Sequence, residues 1–243
     1  MSATLPHTKD RAARLNPTQF WGLVVIIFVV LQFPLVRIPV LFLSTWAHEL
    51  GHGLGALVTG GAFYELTIFP NFSGLASVGV TSDVSQAVVI ILGLLGPSLL
   101  GVFMIGLTRG LHWPRAALII MALMMGLSLI WAANLFTLLT IGSGAALFGL
   151  MAKFLPDRVT VMVAHIVAIA LCLNALTGFG YFFMGNAEIA GDMYRSDTGV
   201  LAEIWVGPYW FWGGVMVLLS VLTLIIGVVL SDRWARRHPP ERE

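Results

Sequence analysis

Long apolar stretches dominate the chain, and their lengths set the first expectation. A helix needs about 20 mostly apolar residues to cross a bilayer. Stretches of that kind occupy 15–36, 38–64, 84–108, 116–152, 159–187 and 204–231. The fourth is too long for one simple crossing. It reads either as two short helices broken near Asn134 or Gly142-Ser143-Gly144, or as one span plus a re-entrant piece. The pattern predicts an all-α polytopic membrane protein with about six transmembrane helices, or seven if the fourth stretch divides.

Two segments break this pattern. In residues 62–82, Leu66 and Ile68 alternate with Thr67, and Ala76, Val78 and Val80 alternate with Ser77 and Gly79. Pro70-Asn71 and Ser73-Gly74 supply turn residues between them, so a short β-hairpin insertion is expected after the second apolar stretch. Residues 185–203 hold Glu188, Asp192, Arg195, Asp197 and Glu203 and read as a polar loop. The expected organisation is an N-terminal tail at 1–17, a membrane domain at 18–231 and a C-terminal tail at 232–243.

Charge orients these pieces. Lys9, Arg11 and Arg14 precede the first apolar stretch, and Arg233, Arg236, Arg237 and Arg242 follow the last. Positive flanks stay in the cytoplasm, so both termini are expected there, with an even number of crossings. The stretch Phe20 to Val36 lacks a small-x-small exit and reads as an uncleaved first span rather than a signal peptide.

Composition agrees. The chain is 58% hydrophobic and only 10% charged, against roughly 25% charged for a soluble domain, and its mean hydropathy is +0.91. A net charge of +1 with no long basic run gives no case for nucleic acid. The one cysteine, Cys172, excludes an intrachain disulfide and a cysteine-rich metal site, and its expected role is packing. Trp21, Trp113, Trp205, Trp210 and Trp212 fit an interfacial aromatic belt.

Within this apolar background lies His48-Glu49-Leu50-Gly51-His52. Glu49 is the only formally charged residue from Ile38 to Tyr64. An ionisable group inside a span is costly and marks a functional site by default. On a helix, His48 and His52 project from one face, so two imidazole nitrogens can reach one tetrahedral Zn2+. Glu49 is offset by about a quarter turn and is placed as a general base toward water activated by the metal. Ser44, Thr45, His48, His52, Gly55 and Thr59 form one small or polar stripe. Gly51, Gly53, Gly55, Gly60 and Gly61 are expected to leave room for a substrate backbone. The competing reading is a polar cluster that only bridges helices.

A catalytic zinc usually has three protein ligands. Residue type alone leaves Asp83, His165, Asn174, Glu188, Asp192, Asp197 and Glu203 as sources of the third. His165 fits a helix-to-helix hydrogen bond better than a ligand. Asp192 and Asp197 are the acids that most closely precede the last apolar stretch.

The motif in its setting, from Ser44-Thr45-Trp46-Ala47 through His52 to Gly60-Gly61, resembles the M50 (site-2 protease) group of intramembrane zinc peptidases, and more narrowly its bacterial M50B-like members. Phe69-Pro70-Asn71-Phe72-Ser73-Gly74-Leu75 is similar to the β insertion that follows the family's motif helix. Gly93, Gly96-Pro97 and Gly101 resemble its glycine-rich core helix. Ser196-Asp197-Thr198-Gly199 through Glu203, with Gly207-Pro208 and Trp210-Phe211-Trp212, is similar to its closing segment and final span. The resemblance implies metal ligands His48, His52 and Asp197, a catalytic Glu49 and a Zn2+ cofactor; Asp192 stays the alternative third ligand from residue type alone. It also implies a location in the bacterial inner (cell) membrane and a membrane-spanning protein as substrate.

A substrate helix must unwind locally to expose a peptide bond, and the 66–80 hairpin offers an edge for the extended strand. The other reading of the hairpin is a plug for the bundle. Gly93, Gly96, Gly101 and Pro97 either line a water path to the metal or mark close helix packing. The chain lacks the Asn-Pro-x-Asp-Gly stretch of better-studied M50 enzymes, which motivates a second reading: a metal-binding membrane protein, regulator or assembly factor, without proteolysis. A transporter would carry several acids within its spans, where this chain has only Glu49. The oligomeric state and the substrate's identity have no signature in the sequence.

Overall fold

The computed structural model describes residues 15–237, with the side chains of residues 174, 175, 177 and 179 left aside. The tail cations Lys9, Arg11, Arg14 and Arg242 lie outside the described residues. The chain enters through α1 (Pro17–Val30), capped by Asn16, whose side chain accepts from the Gln19 N–H at 2.8 Å. It turns at Leu31–Phe33 into α2 (Pro34–Val58), at 106° to α1. A hairpin follows, β1 (Ala62–Ile68) and β2 (Gly74–Gly79), and then α3 (Asp83–Ile105), which continues into a π-helical turn at Gly106–Gly110. The remaining helices of the bundle are α4 (Pro114–Ser128), α5 (Leu135–Phe154) and α6 (Asp157–Thr177). One turn of helix, α7 (Phe179–Phe182), leads to a second hairpin, β3 (Asn186–Ile189) and β4 (Asp192–Arg195). The described chain closes with α8 (Asp197–Ile204) and α9 (Tyr209–Arg237).

The chain is mostly helical, with two small two-stranded sheets. Among the described residues four helices are long and apolar enough to cross a membrane: α3 with its π turn, α4 with the turn after it, α5, and α9. The bent α1–α2 pair makes five if counted as one span. This count, taken over the described residues and without α6, does not confirm the expected six. The first expected crossing stops at Val30 because Pro34 starts a new helix in a different direction; proline suits a first helical turn and biases the preceding residue away from α geometry. The long 116–152 stretch does divide near Asn134, whose side chain caps α5 by accepting from the Thr137 N–H at 2.7 Å. The 185–203 segment is not a simple loop. Residues 186–195 pair as a tight antiparallel hairpin, and Ser196 caps α8. Its polar side chains face outward on that hairpin, so composition alone read it as irregular.

The centre of the fold is the crossing of α2 and α3. A Cβ on Gly51 would lie 2.3 Å from the Leu92 carbonyl oxygen, and one on Gly96 would lie 2.5 Å from that of Ala47. Only glycine lets two helix backbones approach so closely. Gly101 is similarly tight against Ala168 and Cys172 of α6, and Gly53 against the Phe63 ring. These glycines therefore serve packing. Of those expected to leave room for a substrate, Gly51, Gly53, Gly55 and Gly61 are closed off by neighbours. Of the two readings of Gly93, Gly96 and Gly101, their tight contacts fit close packing, while Pro97 borders a cavity. Trp46, 1% exposed, donates its indole N–H to Ser128 Oγ at 2.9 Å and ties α2 to α4.

Candidate metal centre

The C-terminal half of α2 is buried and its N-terminal half is largely open. His48, Glu49 and His52 lie in the buried half, so the helix carries its ionisable groups into the bundle. His52 Nδ1 lies 3.1 Å from the Val89 carbonyl oxygen on α3. A carbonyl only accepts, so Nδ1 carries the proton and the Nε2 lone pair points away from it. His48 Nε2 stands 3.0 Å from His52 Nε2. Asp197 Oδ2 lies 3.0 Å from His48 Nε2 and 3.4 Å from His52 Nε2.

Three electron-pair donors thus converge, with ligand atoms all within 4.8 Å of one another. Nitrogen and oxygen ligands of a tetrahedral zinc, with bonds of roughly 2.0–2.1 Å, sit about 3.3 Å apart. The donor set fits a divalent cation in spacing and in chemistry. Burial pushes the Asp197 carboxyl up, but with both imidazoles protonated and no metal between them, His52 and His48 outweigh it and hold it below the ordinary carboxylate range. Asp197 is the first residue of α8, where the helix N-terminus also favours a negative charge.

Glu49 is 4% exposed. The Ala76 N–H of β2 donates to its carboxylate, and a Cβ on Gly74 would lie 2.4 Å from Glu49 Oε1. The start of β2 therefore passes directly over this carboxylate. The hairpin turn is pinned to α2 by Thr45, whose hydroxyl donates to the Phe72 carbonyl at 2.8 Å, and by Phe42 against Phe72 at 4.8 Å. The outer edge of β1 is covered: Leu66 bridges Ala132 and its carbonyl accepts from the Ala133 N–H, while Thr137 bonds Ile68. Because Ala76 N–H points at Glu49, the outer edge of β2 faces the site.

A cavity of about 640 Å³ opens beside these groups. One wall is the α2 stripe with Ser44, Thr45, His48 and Glu49. The others are the first hairpin turn, residues 71–74, and the α7 to β3 segment including Tyr181 and Glu188. The Ser44 hydroxyl is buried on that wall without a hydrogen-bond partner.

The family model for Peptidase M50B-like proteins matches residues 20–227. The chain belongs to the Peptidase M50B-like family. No match was found among curated proteins or among solved structures. The matched region holds the motif helix, both hairpins and Asp197, so the converged donors lie inside the family domain.

The other expected sources of a third donor are elsewhere. Asp83 is exposed at the start of α3 and Asp192 is exposed on β4. His165 is buried, its Nδ1 2.8 Å from the Val161 carbonyl and its ring against Phe20. Glu203 pairs with Arg195. Glu188 lines the cavity but is absent from the converged cluster. The Asn174 side chain is outside the described residues. Sequence reasoning missed Tyr181, whose hydroxyl donates to Asp197 Oδ2 at 3.1 Å. A tyrosine after an apolar helix carries no motif, so nothing in the sequence singled it out.

Proposed function

We propose that the chain is an intramembrane zinc endopeptidase that cleaves membrane-spanning protein substrates. The observation that carries this reading is the convergence of His48, His52 and Asp197 beside the buried Glu49 on the wall of a cleft. His48 Nε2, His52 Nε2 and Asp197 Oδ2 hold the metal. Zinc, when bound, supplies a Lewis acid that polarises water and a peptide carbonyl. Glu49 acts as the general base: its carboxylate takes a proton from the attacking water and returns it to the leaving amine nitrogen. The β2 edge over Glu49 is suited to add an extended substrate strand, which aligns a main-chain carbonyl with the site. The protein sits in a bacterial cell membrane with both termini cytoplasmic, as its cationic tails favour.

Glu49→Gln against wild type, on single-span proteins of the host membrane, tests the reaction. Loss of cleavage with metal retained supports the peptidase. The lack of an Asn-Pro-x-Asp-Gly stretch favours the second reading, a metal-binding membrane protein without proteolysis. Identical fragment patterns from the two proteins would select it.

A further inference from the structure

Tyr181 touches two of the three converged residues. Its hydroxyl donates to Asp197 Oδ2 at 3.1 Å, and its ring meets the His48 ring edge-on at 5.9 Å and 89°. Asp197 Oδ2 is also the oxygen nearest both imidazoles. A carboxylate oxygen has two lone pairs. One can face a cation between the imidazoles while the other accepts the Tyr181 proton.

The backbone around this contact is clamped. Tyr181 lies in α7, and the next residue, Phe182, is buried with Leu94, Leu201 and Met216. A Cβ on Gly213 of α9 would lie 2.0 Å from the Phe182 carbonyl oxygen, so α7 rests on the α9 backbone. The β3–β4 excursion between Tyr181 and Asp197 is closed at its base. The Ser196 N–H donates to the Gly185 carbonyl at 3.2 Å, and the Ser196 and Thr198 hydroxyls both donate to the Met184 carbonyl. The backbone segments that carry the phenol and the carboxylate are thus tied to each other.

We propose that Tyr181 is a positioning residue of the metal centre, its hydroxyl fixing the Asp197 carboxylate in the orientation that completes a three-ligand zinc site. This rests on the zinc reading above. Outer-sphere hydrogen bonds of this kind typically alter metal affinity by about 10–100-fold.

The test is zinc affinity of the detergent-purified full chain, by competition with a chromophoric chelator, for wild type, Tyr181→Phe and His48→Ala. Tyr181→Phe keeps the ring against His48 and removes only the donor. The expected result is zinc binding about 10–100-fold weaker than wild type, an altered visible spectrum of the cobalt(II)-substituted protein, and unchanged thermal unfolding without metal. A purely structural tyrosine would move the last and leave the first two. Wild-type affinity and spectrum in Tyr181→Phe, with binding lost in His48→Ala, would overturn the inference and leave the zinc site standing. No zinc binding by wild type would overturn both. Should Tyr181→Phe not fold, Tyr181→Gln and Tyr181→Leu differ in a donor at similar size. Tighter binding by the Gln variant supports the role, and equal binding overturns it.

Discussion

A Cβ placed on Gly93 would stand 2.2 Å from the ring of His52. The imidazole is thus pressed against an α3 backbone with no side chain in the way, while Val89, one turn earlier, receives its Nδ1 proton. The α2–α3 crossing is the mechanical support of the proposed metal centre.

Gly93→Ala should therefore displace His52 rather than merely tighten the core. Overpacking of this kind costs about 1–3 kcal/mol. The expected outcome is a lower unfolding temperature together with weakened zinc binding. Gly126→Ala is the control, because nothing lies within 4 Å of a Cβ there; it should leave zinc binding unchanged and the unfolding temperature unchanged or slightly raised, since alanine is the better helix former.

Two buried serines should behave oppositely. Ser128 Oγ accepts from Trp46 and donates to the Met125 carbonyl, so Ser128→Ala leaves the buried indole N–H unpaired and should cost about 1–3 kcal/mol. Ser44 Oγ has no partner, so Ser44→Ala gives up no hydrogen bond and should be neutral or slightly stabilising. Thermal unfolding in detergent reads both.

The Arg109 guanidinium, held by Asp232 and by the Leu15 carbonyl and stacked 4.7 Å over Phe20, joins the first helix to the last. Asp232→Asn leaves this buried cation without its counter-charge. The expected loss is about 3 kcal/mol, seen as a lower unfolding temperature with zinc affinity retained, because the pair touches none of the converged residues.

The parts of this arrangement that were legible in the sequence are those set by short-range pattern. The i,i+4 spacing put His48 and His52 on one face, and the alternation around residues 66–78 corresponds to the β1–β2 pairing. Asp197 was reachable only through family resemblance, because a ligand brought in by a distant helix leaves no local spacing. The α1–α2 bend was hidden because both arms are apolar and only Pro34 marks the joint. Glycines were ambiguous for a physical reason: Gly93 and Gly96 look alike in sequence whether they line a channel or admit a neighbouring backbone. Only the neighbour's position separates the two.

Metal removal should loosen the fold. A ligand at 100 times its Kd stabilises the native state by about 2.7 kcal/mol. Chelator treatment of purified wild type should lower its unfolding temperature, and added zinc should restore it. Asp197→Ala should show neither response.

The most direct measurement is zinc content of detergent-purified protein by elemental analysis, for wild type, His48→Ala, Asp197→Ala and Glu49→Gln. One zinc per chain is expected in wild type and in Glu49→Gln, with strong depletion in the other two. Near-stoichiometric zinc in both His48→Ala and Asp197→Ala would contradict the site.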